Sequence, residues 1–341
     1  MATGAAARTE TLGSLKTAVV GVGAVGQLMI ALLRERGVPA DRLRVLARSA
    51  RRVSLNGDTF SVAEVTPDAF DGLDFAFFAG GEDKDSHFGP IAVVRGAVVI
   101  DNGDAFRMEP AVPLVVPEIN AADLARHKSL IASPNCSAIQ LAMVLAPLTN
   151  LAPIRRVVCS TYQSVSGKGR AALERLDAEV RAVVTGEALP ADSPFAEPIL
   201  GNLACDWPVV EGGHTREEVK VVAETRKILG APLLSIAINT TRVPVPNAHA
   251  QAVNIEFERP VSPDAARAAL ASFPGIQVTD IFPSPRLADG TDAVWVGRLR
   301  RDDSVAHGLW LWSACDNLRK GAALNAIQIA ETLLARGLLP R

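Results

Sequence analysis

The chain has 341 residues, 48% of them apolar and 21% charged, with a formal net charge of -2. That length exceeds one ordinary core and predicts two domains. The composition excludes a disordered chain, and the near-neutral charge excludes bulk attraction to nucleic acid or to an anionic membrane.

The first residues, MATGAAARTETLGSLK, lack the apolar core of a signal peptide and read as a flexible tail over 1–15. TAVV at 17–20 is an apolar, β-branched run ended by glycine, hence a strand. A helical pattern follows over 24–36, with Gly37 as its stop. LRVLA (43–47), DFAFFAG (74–80) and AVVID (97–101) are further continuous apolar runs, the mark of strands buried on both faces. This order predicts right-handed crossovers and a parallel sheet. After Ser133 the texture changes. VNIEFE (253–258) and GLWLWSA (308–314) alternate with period 2, which predicts a largely antiparallel sheet covered on one face. Helices are expected near 166–186 and 215–229, and a last helix over 318–335. No apolar run reaches the roughly 18 residues that span a bilayer.

Gly21-Val22-Gly23-Ala24-Val25-Gly26 lies between a strand and a helix, the context in which this glycine spacing binds a dinucleotide. The first glycine makes the tight turn, the second admits the pyrophosphate, and the third lets helix and strand pack closely. Phosphates then meet the positive end of the helix. The alternative is three turn glycines without a ligand. NAD selection needs an acidic residue at the end of the second strand, about 20 residues on. Here Arg48 and Ser49 follow Ala47, with Arg51 and Arg52 beside them. A cation and a hydroxyl suit the 2′-phosphate of NADP, unless the run is a solvated loop.

The cysteines are Cys136, Cys159, Cys205 and Cys315, with no spacing that makes a zinc site. A large chain with few cysteines and no secretion signal is expected in the cytoplasm. Ser133-Pro134-Asn135-Cys136-Ser137 precedes a helix-like stretch, so Cys136 should sit at a helix N-terminus. The dipole and free N–H groups there favour thiolate, a nucleophile for aldehydes and acyl phosphates. The other three cysteines read as structural, and a buried structural role is the alternative for Cys136 too. His249 follows Arg242 by one short strand, and together they make a plausible anion clamp and acid/base.

These residues lie in segments that resemble the aspartate-semialdehyde dehydrogenase family over nearly the whole chain. The matching segments are VGVGAVG, FAGGEDKDSHFGPIAVVRGAVVIDNGDAFRMEPAVPLVVPEIN, SPNCSAIQ, STYQSVSGKG, GGHTREEVKVVAETRKI, TTRVPVPNAHA, GTDAVWVGRLRRD and DNLRKGAALNAIQIAE. The resemblance implies an α/β fold: an N-terminal Rossmann-type domain over 16–133, completed by a helix within 317–341, and a catalytic and dimerisation domain over 134–316. It implies Cys136 as nucleophile, His249 as acid/base and Gln163 as the group that orients the substrate. Arg242 would take the substrate α-carboxylate and Glu217 its α-ammonium. Arg107, Asn135 and Lys220 would bind the phosphoryl group. Gly80, Gly81, Ser166, Gly167 and Asn317 would join Gly21, Gly23, Ala24, Val25, Gly26, Arg48 and Ser49 around NADP. The implied reaction is NADPH-dependent reduction of 4-aspartyl phosphate to aspartate semialdehyde and phosphate, on the way to lysine, threonine and methionine. The implied assembly is a homodimer, or a tetramer.

Glu217 and Lys220 share one helical face, where the plain alternative is a surface salt bridge. Three positions depart from the family pattern. Asp104 ends DNGD where DNSS is usual, Lys168 replaces a small residue, and Ala250 replaces serine after His249. Asp104 is expected to repel phosphate, and Lys168 either to reach solvent or to add a cation near the phosphoryl group. Two other readings remain: a reductase for a different acyl phosphate, and a catalytically weak dimeric paralogue.

Overall fold

The computed structural model describes residues 11–55, 57–80 and 87–340. The described chain starts within the expected tail, and not as a free end. Leu12 and Leu15 are buried in the first core, so residues 11–15 belong to the packed chain.

The first half alternates as its apolar runs dictate. β1 (Thr17–Val20) leads through the glycine turn into α1 (Ala24–Glu35), then β2 (Leu43–Ala47), β3 (Arg51–Leu55), β4 (Asp58–Glu64) and β5 (Phe75–Phe78). After α2 (Phe88–Val94) come β6 (Val98–Asp101), α3 (Pro117–Asn120) and β7 (Leu130–Ala132). The sheet order is β3-β4-β2-β1-β5-β6-β7, parallel except for the β3/β4 hairpin. β1 and β5 are buried along their whole length, as strands covered on both faces must be. The strand order reverses between β1 and β5, so their carboxyl ends frame the crevice where doubly wound sheets bind ligands.

The second half opens with α4 (Cys136–Thr149), buried over nearly its whole length in the second core. It continues through β8 (Ile154–Gln163), α5 (Arg170–Thr185), α6 (Arg216–Ile228), β9 (Ser235–Arg242), β10 (His249–Phe257), α7 (Pro263–Ala271), β11 (Ile276–Val278), α8 (Pro285–Ala288), β12 (Val294–Asp302) and β13 (Gly308–Cys315). The order β11-β12-β13-β10-β8-β9 has an antiparallel centre, with β11 and β9 added parallel at the edges. One face packs on α4 and α7 through Val253, Ile255, Leu309 and Leu311. The opposite face carries Tyr162, Trp312 and Phe282, whose rings lie 5.1 and 4.9 Å apart across Trp312.

The expected last helix divides. A π-helical turn over Arg319–Ala323 precedes α9 (Leu324–Ala335). α9 returns to the first core, where Ile327, Ile329 and Leu333 cluster with Met29, Ile30 and Leu33. Lys320 in the π turn is fully buried, and its Nζ donates to both oxygens of Glu118 at 2.8 and 2.7 Å and to Gln328 at 2.7 Å. A buried ammonium needs that many acceptors to offset its desolvation.

Candidate active site

The glycine turn has the shape a dinucleotide requires. Gly21 has φ of +99°, open to glycine alone at low cost, and nothing lies within 4 Å of where a Gly23 Cβ would point. A Cβ on Gly26 would fall 1.9 Å from the Gly21 carbonyl oxygen, so this glycine is set by the contact between helix and strand. Gly26→Ala is therefore expected to cost about 1–3 kcal/mol or more of stability and to weaken dinucleotide binding. Thermal unfolding and a cofactor titration measure both, and a variant normal in each would refute the packing role.

A cleft of about 420 Å³ runs from Gly23, Ala24 and Val25 past Gly80, Ser166 and Gly167 to Asn135, Cys136 and Asn317. Gly21 and Gly26 support its floor without lining it. Gly81 lies outside the described residues. Arg48 and Ser49 are exposed at the carboxyl end of β2 and do not line the cleft. The basic run is no loop throughout: Arg51 starts β3, and its Nη1 donates to Ser49 Oγ at 3.2 Å.

Cys136 is the first residue of α4, with Asn135 as its N-cap. Asn135 Oδ1 accepts from the N–H groups of Ser137 and Ala138 at 2.8 and 3.2 Å, and its Nδ2 donates to Glu217 Oε1 at 3.0 Å. The Cys136 side chain lies against Gly321 of the π turn, where a Cβ would approach Cys136 Cβ to 2.8 Å. The expected thiolate is not the resting state. Burial first, and the Glu217 carboxylate second, push the Cys136 thiol up to about 12, against Arg107, the Ser137 N–H and Arg242. The helix N-terminus is there, but desolvation outweighs it.

Gln163, buried at the end of β8, donates from Nε2 to Glu217 Oε1 at 3.2 Å. Glu217 thus gathers Asn135 and Gln163 and does not pair with Lys220. Lys220 donates instead to Asp104, and Arg216 Nη2 stands 3.5 Å from the same carboxylate. Asp104 is thus a partner to both cations. Arg107 is buried and engaged at three nitrogens, donating to Ser133 O at 3.0 Å, Glu224 Oε1 at 3.2 Å and Asn102 O at 2.6 Å. Glu224 also accepts from the Asn135 N–H at 2.6 Å, and so ties this arginine to the turn before Cys136.

Arg242, at the end of β9, is held on three sides. Its Nε donates to Asp206 Oδ1 at 3.1 Å, its Nη1 to Ser164 O at 2.9 Å, and Trp207 lies under its plane at 4.5 Å. Lys168 is exposed and lines both cavities, with its Nζ bonded to Asp206 Oδ2 at 2.7 Å and set over the Phe195 ring. Asp206 is half-buried, yet Arg242 and Lys168 outweigh that desolvation and hold its carboxyl below the usual range. A second cavity of about 780 Å³ is lined by Asp104, Glu217, Lys220, Asp206 and Arg242, and it shares Asn102, Arg107, Gly167 and Lys168 with the first.

His249 starts β10 after Ala248, a non-glycine residue at φ of 66° whose N–H is held by Asn317 Oδ1 at 3.0 Å. The Ser164 N–H donates to His249 Nδ1 at 3.0 Å, which puts the neutral ring's hydrogen on Nε2. Nε2 lies 3.3 Å from where a Gly167 Cβ would be, and it is buried with no hydrogen-bond partner among the described residues. Burial and then Arg242 lower the imidazole well below 6.5, and it is neutral at pH 7. Asn317 is buried, with Oδ1 accepting from Ser164 Oγ at 3.0 Å and Nδ2 donating to Ser166 Oγ at 3.0 Å.

Sequence reasoning missed Glu224, Asp206, Trp207, Arg216 and Gly321. Glu224 had a signal, since Glu217, Lys220 and Glu224 fall on one helical stripe. The rest take their meaning from contacts across the fold.

A crevice above a glycine turn, lined by a half-buried cysteine and adjoining a cavity with charges of both signs, fits a two-domain oxidoreductase. Comparison with known proteins specifies it further. Residues 16–127 match "Semialdehyde dehydrogenase, NAD binding domain" and 145–320 match "Semialdehyde dehydrogenase, dimerisation domain". The chain is 40% identical over 337 residues to aspartate-semialdehyde dehydrogenase of Aquifex aeolicus, covering 95% of this chain and 99% of that one. It is 43% identical over 332 residues to that of Prochlorococcus marinus, covering 94% and 96%. The crystal structure of aspartate semialdehyde dehydrogenase II from Vibrio cholerae, complexed with ASA, superposes with a TM-score of 0.89 at 38% identity, covering 94% and 98%. The chain belongs to the aspartate-semialdehyde dehydrogenase family. Its N-terminal domain is a nicotinamide-dinucleotide fold, and among the described residues no helix is long and apolar enough to cross a membrane.

Proposed function

We propose that the chain catalyses the reversible, NADP-dependent reductive dephosphorylation of L-4-aspartyl phosphate to L-aspartate 4-semialdehyde through a thioester on Cys136. The step serves lysine, threonine and methionine synthesis. One observation carries the reading: Cys136 lines the crevice above the glycine turn, and Asn135 beside it donates to Glu217, which with Arg242 lines the adjoining cavity. A guanidinium and a carboxylate on one wall suit the two ends of an amino acid. A sugar acyl phosphate would need neither.

In this reading the α-carboxylate lies on the outer edge of Arg242, whose other edge and face are fixed by Asp206 and Trp207. The α-ammonium replaces the amides of Asn135 and Gln163 on Glu217. That pairing neutralises the charge that helps to hold the Cys136 thiol up, so substrate binding itself favours the thiolate. The thiolate attacks the acyl carbon, and phosphate leaves with the C–O bonding pair towards Lys220 and Arg107. NADPH, when bound, supplies the hydride that reduces the thioester. His249 serves the oxygen of the resulting thiohemiacetal through Nε2. To take a proton there, its Nδ1 must carry the ring hydrogen and donate to Ser164 Oγ, 3.0 Å away. Thiol release then gives the aldehyde.

Arg48 and Ser49 would face the 2′-phosphate, because they follow the strand next to β1. Arg48→Ala is expected to weaken NADP about 10–100-fold and NAD little, the scale of one charge-assisted contact. Equal losses for both cofactors, measured by titration, would remove Arg48 from this role. The aromatic face of Tyr162, Trp312 and Phe282 is the surface we assign to a homodimer, and the cytoplasm is the expected compartment. The test of the whole reading is phosphate-dependent NADP reduction by the purified protein with aspartate semialdehyde. Turnover of a sugar aldehyde phosphate in preference to it would favour a different acyl-phosphate reductase.

A further inference from the structure

The cavity beyond Cys136 holds a carboxylate on the cations best placed to meet a phosphoryl group. Lys220 Nζ donates to Asp104, and Arg216 Nη2 lies 3.5 Å from the same oxygen. The side chains of Lys220 and Asp104 are 28% and 23% exposed, so the pair faces the cavity and is not sealed in the core. Arg107 differs, because three of its nitrogens are committed to Ser133, Glu224 and Asn102 in a buried frame. Asp104 also sits in a turn held by the side chain of Asp101. The turn is closed by the Gly103 N–H donating to Asp101 Oδ1 at 2.7 Å.

We propose that Asp104 is an internal stand-in for the phosphoryl group, and that it sets the enzyme's affinity for phosphate. This rests on the reading that Lys220 binds phosphate. A carboxylate and a phosphate both present anionic oxygens that accept hydrogen bonds, so they compete for the same N–H groups of Lys220 and Arg216. Where both remain, their like charges repel at a separation that water only partly screens. The carboxylate keeps Lys220 and Arg216 drawn together in the ligand-free site, and phosphate must displace it to reach them.

The test compares Asp104→Asn, Asp104→Ser and Lys220→Ala with the wild type in aspartate semialdehyde oxidation at varied inorganic phosphate. Removing the charge at position 104 is expected to lower KM for phosphate about 3–10-fold, the scale for part-exposed charges, with KM for aspartate semialdehyde moving much less. In a reading independent of turnover, inorganic phosphate should raise the Tm of Asp104→Asn at lower concentrations than it does for the wild type. An unchanged or raised KM for phosphate in both Asp104 variants would overturn the proposal, and would make Asp104 an orienter of Lys220. Lys220→Ala separates the two failures. If it raises KM for phosphate while the Asp104 variants do not lower it, only the role of Asp104 falls. If it leaves that KM unchanged, the phosphate site was misplaced and the proposal falls with it.

Discussion

Cys136→Ser is expected to lower turnover by at least about a thousandfold while leaving NADP binding close to that of the wild type. The argument is chemical. A serine hydroxyl loses its proton far less readily than a thiol, and the site already opposes anions at this position through burial and Glu217. The argument is also steric. Serine keeps the Cβ that rests on Gly321 and adds no volume, so α4 and the crevice should stay in place. Steady-state kinetics and a cofactor titration check the two halves separately. A variant that kept more than a few per cent of activity would remove covalent catalysis at this residue.

His249→Ala should lower kcat by about 10²–10⁴, the usual contribution of a placed acid/base. Its pH dependence is the more diagnostic reading. Protonating the wild-type ring would place a hydrogen on Nδ1 facing the Ser164 N–H, and a charge beside Arg242. The folded-state value is lowered, so the ring stays neutral as pH falls through 6.5, and any acid limb due to His249 lies below that. The alanine variant should lose that limb. Should the variant keep both its rate and its acid limb, proton transfer would belong to another group.

Much of the first domain was legible because buried parallel strands are unbroken apolar runs. β1 and β2 fall where TAVV and LRVLA predict them. The β3–β4 hairpin was missed because it lies at the sheet's edge. β3 alternates exposed and half-buried residues, only Phe60 and Val62 of β4 are buried, and the basic run before them reads as a solvated loop. The π turn was read as ordinary helix, since nothing local marks it: Gly321 is required by Cys136, far away in the chain. The place of Cys136 at a helix N-terminus was legible, because Pro-Asn-Cys-Ser is a cap signal and Asn135 does cap α4. Its resting protonation was not legible. That depends on burial and on Glu217, which only the fold brings to the helix end. Lys168 and Asp104 looked like isolated departures in the sequence. In the fold each has an opposite charge, Asp206 for the one and Lys220 for the other, and those pairings cross between separate elements.

The account stands most directly on an acyl group carried by Cys136. Wild-type protein mixed with 4-aspartyl phosphate in the absence of NADPH, then quenched in acid and digested, tests it by mass spectrometry. The account predicts an aspartyl addition on the peptide that contains Cys136, removed by hydroxylamine as a thioester is, and absent from Cys136→Ser. No addition in an otherwise active preparation, or an addition on Cys159, Cys205 or Cys315 in place of Cys136, would contradict it.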